Sequence, residues 1–151
     1  MGGSLFRGRY EHTIDDKGRT SLPAKFREIL VASYDERLIV TTNFDTCLVA
    51  YPFAEWQAFE EKVAALPRYD RNVIALKRFL IANAIECPFD KLGRIILPPA
   101  LREYAELDKV AIWTGQVNCI EIWSKARWGR EWEASARTLK RNPKGLAGLG
   151  L

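Results

Sequence analysis

The chain has 151 residues, 48% hydrophobic and 28% charged, a globular composition sized for one ordinary domain or two small ones. No apolar run approaches the roughly 18–20 residues that cross a bilayer, and the opening MGGSLFRGRY lacks the apolar stretch of a secretory signal. The net charge of +4 is a mild basic bias that permits an anionic partner without demanding one; residues 1–75 carry 10 basic and 11 acidic side chains, residues 76–151 carry 13 and 8.

Gly2-Gly3-Ser4 reads as a flexible arm, native or appended, and carries no weight here. FRGRYEHTI (6–14) is expected to be a strand, and Asp15-x-x-Gly18 supplies a turn whose glycine sits where a left-handed residue is wanted. RTSL (19–22) returns as a short strand, and Pro23 marks the first turn of a short helix. LIVTT (38–42) and CLVAY (47–51) form a hairpin. In FAEWQAFEEKVAAL (53–66), Phe53, Trp56, Phe59, Val63 and Leu66 share one helical face. Pro67 breaks that helix, Asn72 is placed to cap the next, and Val73, Leu76, Phe79 and Leu80 would face a core.

From there the pattern starts again. AIECPF (84–89) is a strand, Asp90-x-x-Gly93 a turn, RIIL (94–97) a return strand and Pro98 a helix start. KVAIWT (109–114) and CIEIW (119–123) form a hairpin, and KARWGREWEASARTL (125–139) a helix with Trp128, Trp132, Ser135/Ala136 and Leu139 on one face. The Gly-rich tail after Leu139 is expected to be disordered.

The second half repeats the first. DDKGRTSLPAKFRE (15–28) and DKLGRIILPPALRE (90–103) align without gaps at an offset of 75, with seven of fourteen positions identical: Asp15/Asp90, Gly18/Gly93, Arg19/Arg94, Leu22/Leu97, Pro23/Pro98, Arg27/Arg102 and Glu28/Glu103. At an offset of 72 the match continues through Thr42/Thr114, Cys47/Cys119 and Trp56/Trp128. The repeated unit covers residues 7–56 and 83–128, with a helical connection over 57–82 and a helix end and flexible tail over 129–151. A unit of this size buries too little surface alone, so its hairpins are expected to interleave with those of its copy in a pseudo-dimer.

Catalytic chemistry finds little support. The single histidine, His12, reads as a half-exposed strand residue; no nucleophile elbow, Walker loop or Gly-x-Gly-x-x-Gly occurs. The adjacent pairs Asp15-Asp16 and Glu60-Glu61 point apart on regular structure. Cys47, Cys87 and Cys119 are odd in number and lack metal-type spacing, which suits reduced thiols inside a cell. No enzyme activity, cofactor, metal or small-molecule substrate is expected. What stands out is basic: Arg7, Arg9, His12, Lys17, Arg19, Lys25 and Arg27 crowd around the first turn, and Lys91, Arg94 and Arg102 around the second. The aspartate of Asp-x-x-x-Arg can fix the turn through its amides and the arginine. The same arginine can reach phosphates or base edges, which its planar fork of donors suits. The two readings are compatible.

The doubled Asp-x-x-Gly-Arg-(x)3-Pro-(x)3-Arg motif resembles the swapped-hairpin barrel of AbrB-type transcription factors. Two such units in one chain, each followed by a tryptophan-bearing helix, together with Phe6-Arg7-Gly8, resemble the MraZ family of bacterial regulators over nearly the whole length. The resemblance implies an α+β fold: a tandem pair of AbrB-like units forming one pseudo-two-fold β-barrel with flanking helices. It also implies a ring-shaped homo-oligomer in the cytoplasm at the nucleoid. That ring would bind repeated elements of double-stranded promoter DNA and repress its own division and cell-wall operon. Carried over to this chain, Arg19 leads DNA contact, with Lys17, Arg7 and Arg9 beside it and Lys91 and Arg94 on the second turn. Asp15, Gly18, Asp90 and Gly93 shape the loops. The chain departs from AbrB-like units in having His12-Thr13 and Cys87-Pro88 where a basic pair commonly precedes the aspartate. Leu92 also stands where the first turn has Lys17, so the first repeat is expected to dominate DNA contact. The alternative is an antitoxin-like or assembly module working mainly through protein–protein contacts.

Overall fold

A computed structural model describes residues 5–151, so Gly2-Gly3-Ser4 lies outside the described residues. In chain order the elements are β1 (Arg9–Thr13), β2 (Arg19–Ser21), α1 (Ala24–Ser33), β3 (Leu38–Asn43), β4 (Cys47–Pro52), α2 (Phe53–Ala64), α3 (Arg71–Leu76), β5 (Ile85–Cys87), β6 (Arg94–Ile96), α4 (Pro99–Tyr104), β7 (Val110–Gly115), β8 (Ile120–Trp123) and α5 (Lys125–Arg141). The class is α+β. One antiparallel sheet has six strands in the order β1-β7-β8-β4-β3-β5, and β2 and β6 form a separate two-stranded ribbon.

The repeat is written into this topology. β1 of the first copy pairs with β7 of the second, and β5 of the second pairs with β3 of the first. Exchanging every strand for its counterpart (β1 for β5, β3 for β7, β4 for β8) reproduces the same order reversed. At the middle of the sheet Val49 pairs with Glu121, and at the middle of the ribbon Thr20 pairs with Ile95. Each is paired with its own counterpart in the repeat, so one pseudo-two-fold axis passes through both.

The expected closed barrel is not found. β1 and β5 stand at opposite edges of an open sheet. After the Asp15 turn the returning strand touches β1 through one bridge, Ile14 to Thr20, and then leaves it to pair with β6. The expected strand 6–14 is likewise interrupted: Phe6 bridges Val117 separately from β1.

The core lies between the sheet, the ribbon and helices α1 and α4. Phe26, Leu30, Leu38, Leu48, Leu97, Trp113, Ile120 and Ile122 are fully or nearly fully buried there. Trp56 of α2 is also buried, beside Tyr51 and Phe59. Trp128 of α5 packs against Trp123 in a smaller cluster with Cys47 and Ile112.

Four local expectations change. Asp70, not Asn72, caps α3, its carboxylate accepting from the Asn72 and Val73 amides at 2.8 and 3.2 Å. The helix after that cap is not regular throughout: Lys77–Ile81 is a π-turn, with Ala82 N–H donating to Lys77 O. The Thr41 and Thr42 hydroxyls tie that turn to β3 by donating to the Leu80 and Phe79 carbonyls. α1 and α4 begin one residue beyond Pro23 and Pro98, which sit at the N-cap. Finally, α5 continues to Arg141, beyond the expected end at Leu139; Ala147–Leu149 forms a 3-10 turn, and every residue from Arg137 onward is exposed.

Candidate nucleic-acid interface

Each Asp-x-x-Gly-Arg segment folds into the same closed turn. The Asp15 carboxylate accepts from the Lys17 and Arg19 amides at 3.0 and 2.9 Å, and from Arg19 Nε at 2.5 Å. Asp90 accepts from the Leu92 and Arg94 amides at 2.8 and 2.9 Å, and from Arg94 Nε at 2.8 Å. Gly18 and Gly93 donate to the Asp15 and Asp90 carbonyls and hold φ of 86° and 77°, where a side chain is disfavoured. The Arg19 amide first, then its guanidinium and the Lys17 amide, hold Asp15 below the usual carboxylate range against an opposing desolvation second only to the Arg19 amide. Asp90 is lowered in the same way, chiefly by the Arg94 amide.

The turns open directly into the β2-β6 ribbon. Leu22 N–H donates to Gly93 O and Leu97 N–H to Gly18 O, which locks the two turns to each other. Register places Arg19 opposite Ile96 and Ser21 opposite Arg94, with Thr20 opposite Ile95 between them. Thr20 and Ile95 are each 1% exposed and face the core. Strand alternation therefore puts Arg19, Ser21, Arg94 and Ile96 together on the outward face. The two arginine Cα atoms are about 8 Å apart, from two residues of strand rise and one strand spacing. Both Nε atoms are held by aspartate, neither guanidinium has another protein partner among the described residues, and both arginine side chains are partly exposed.

Lys17 and Lys91 are exposed at the turn tips. Arg7 and Arg9 lie elsewhere. Arg9 starts β1 opposite Thr114, separated from Asp15 by six residues of extended chain, roughly 20 Å. It lines a groove with Trp128, Gly129 and Trp132, whereas Arg7 shares a depression with Tyr10, Lys25 and Glu28. His12 is half-buried within β1.

Arg27 and Arg102, expected around the first and second turns respectively, lie over the opposite ones. Arg102 lies over Gly18 of the other copy and donates Nε–H to Leu97 O at 2.9 Å. Arg27 lies over Gly93, with its guanidinium 5.3 Å from the Phe89 ring centre. Each helix thus braces the opposite copy's turn. The identity Arg27/Arg102 in the repeat was the available signal, but a contact between copies cannot be read from spacing within one.

Among the described residues no group of three or more His, Cys, Asp or Glu side chains could hold a metal ion, and no helix is long and apolar enough to cross a membrane. Burial pushes the Cys87 thiol up to about 12 and the Cys119 thiol up to about 11.

Fold and site together define an internally duplicated α+β protein whose copies interleave and present two aspartate-held arginines on a shared ribbon. The family model described as MraZ protein, antitoxin-like, matches residues 5–79 and again 80–143. A Transcriptional regulator MraZ from Pediococcus pentosaceus is 42% identical, the alignment covering 97% of this chain and 100% of that protein. One from Desulfitobacterium hafniense is 50% identical over 82% of this chain and 84% of its own length. One from Halothermothrix orenii is 40% identical over 97% and 100%. The chain belongs to the MraZ family.

Proposed function

We propose that the chain is a DNA-binding transcriptional regulator that meets double-stranded promoter DNA with the outward face of the β2-β6 ribbon. The observation that carries this is the pair Arg19 and Arg94 on one face, each oriented through Nε by its own aspartate with the Nη donors free. A two-stranded antiparallel ribbon fits a major groove about 12 Å wide, and an arginine fork suits guanine O6 and N7 there. Units 7–56 and 83–128 each supply one turn. Lys17 and Lys91 at the turn tips supply phosphate contacts, Asp15, Gly18, Asp90 and Gly93 hold the turns, and the remoter Arg7 and Arg9 reach flanking backbone.

The names of the relatives, transcriptional regulators, support the same reading. One mildly basic protomer binds DNA weakly; a ring of copies presenting the same ribbon to repeated promoter elements turns later contacts into intramolecular ones. In this reading the protein works in the cytoplasm at the nucleoid and represses its own division and cell-wall operon without catalysing a reaction. Gel-shift of the DNA upstream of its own gene against random duplex at moderate salt, paired with light scattering for oligomer size, tests it. Preference for the upstream duplex is expected. Equal binding to both overturns the regulator reading, and a monomer overturns the ring.

A further inference from the structure

The ribbon's outward face holds four side chains related in pairs by the pseudo-two-fold axis: Arg19 with Arg94, and Ser21 with Ile96. The arginines match. The other pair does not: a small hydroxyl on one side faces a branched aliphatic side chain on the other. Ile96 is 56% exposed, while Ile95 beside it is 1% exposed. Core packing therefore explains Ile95 and leaves Ile96 unexplained. Within the ribbon Ile96 stands directly opposite Arg19 and two residues from Arg94.

We infer that Ile96 reads a thymine methyl group and that the ribbon therefore recognises an asymmetric duplex element in one orientation. The inference rests on the DNA-binding reading above and extends it to a base. A surface that sets an apolar branch at a corner beside two partly exposed arginines suits a partner that sets an apolar spot among hydrogen-bond acceptors. In the major groove only thymine does so: its C5-methyl projects beside the O4 acceptor, and guanine O6 and N7 nearby suit the arginines. On the opposite side of the axis Ser21 offers a hydroxyl that can donate or accept, and no methyl-sized apolar contact. Lys17 against Leu92 adds a second difference of the same sense at the turn tips. Two arginine corners would read alike on a palindrome; an isoleucine on one side only gives the ribbon a direction.

The test uses the full-length protein and random-sequence duplexes, from which the parent's preferred duplex is selected. Each thymine of that duplex is then replaced singly by deoxyuridine, which removes the methyl and leaves the pairing edge intact. Binding is followed by fluorescence anisotropy, and oligomer size by light scattering. The expected result is a loss of about fourfold at a thymine on one side of the site, the worth of one buried methyl-sized group. Ile96→Ser, which installs the other copy's residue, binds the unsubstituted duplex weaker by a similar factor and is indifferent to that deoxyuridine. Ser21→Ile gains methyl sensitivity at the mirrored position. Absence of any methyl-sensitive thymine for the parent, or an unchanged deoxyuridine profile in Ile96→Ser, overturns the inference while the DNA-binding reading stands. A changed oligomer size in Ile96→Ser with that unchanged profile also overturns it and makes Ile96 a subunit contact. If the parent selects no sequence at all, the DNA-binding reading fails and takes this inference with it.

Discussion

Gly18 and Gly93 occupy equivalent turns but do not tolerate a side chain equally. A Cβ on Gly18 would sit 2.7 Å from the Leu97 carbonyl, which is backbone locked in the ribbon. On Gly93 it would meet the tip of Arg27, which can swing aside. Both substitutions incur the left-handed backbone cost of about 1–2 kcal/mol. Gly18→Ala should therefore be the more destabilising in urea unfolding, and equal losses would contradict the crosswise packing. Thr20 makes the opposite case. Its buried hydroxyl has no hydrogen-bond partner in the protein, and its counterpart is Ile95. Thr20→Val keeps the shape and removes the unpaired group, so a gain of about 1 kcal/mol is expected in the same measurement. The need for glycine at both turns was legible from the Asp-x-x-Gly-Arg spacing, because turn geometry is local. The inequality was not, because Leu97 and Arg27 come from the other half of the chain.

At the scale of the element, the turns make acid sensitivity predictable. Asp15 and Asp90 are held below the ordinary value of 3.8, so each favours folding while ionised. That contribution is present above the unfolded value and is lost as pH falls through the lower folded one. Asp35, beside Arg37, and Glu106, beside Arg127, are lowered too and add to the same limb. Glu121, raised chiefly by burial between β4 and β7, has the opposite sign: its contribution is present below its unfolded value and lost as pH rises through the folded one. The combined variant Asp15→Asn, Asp90→Asn should flatten the loss of stability below about pH 4, read as urea midpoint against pH. An unchanged acid limb would mean that the turns do not hold these charges. The hairpins β3-β4 and β7-β8 were readable from short apolar and β-branched runs separated by a glycine or polar break. The π-turn at Lys77–Ile81 was not, since it depends on threonine hydroxyls about 40 residues upstream. Helix α5 was readable as amphipathic, yet Trp132 is 61% exposed and Leu139 55%. Periodicity shows that a face exists and is silent on whether another element covers it.

For the whole molecule, duplication was the most informative feature of the sequence. It foretold two interleaved copies, because neither buries enough alone, and the crossed pairings β1 with β7 and β3 with β5 follow that logic. A closed barrel did not follow, because the return strands β2 and β6 pair with each other apart from the six-stranded sheet. The gathering of Arg19 and Arg94 on one face also needed the structure. Their spacing of 75 says nothing about distance, and only the ribbon register brings them together. On the proposed function, affinity should fall linearly on a log scale with salt, and Lys17→Ala should reduce that slope by about one phosphate contact without relaxing specificity. A slope equal to the parent's would remove Lys17 from the interface.

The central claim is that two aspartate-held arginines on one ribbon face meet the DNA. Anisotropy titration of Arg19→Ala and Arg94→Ala against the upstream duplex and a random duplex tests it most directly. Each variant should lose about 1–3 kcal/mol of preference for the upstream duplex, roughly five- to 150-fold, with oligomer size unchanged. Specific binding equal to the parent's in both variants would contradict the account.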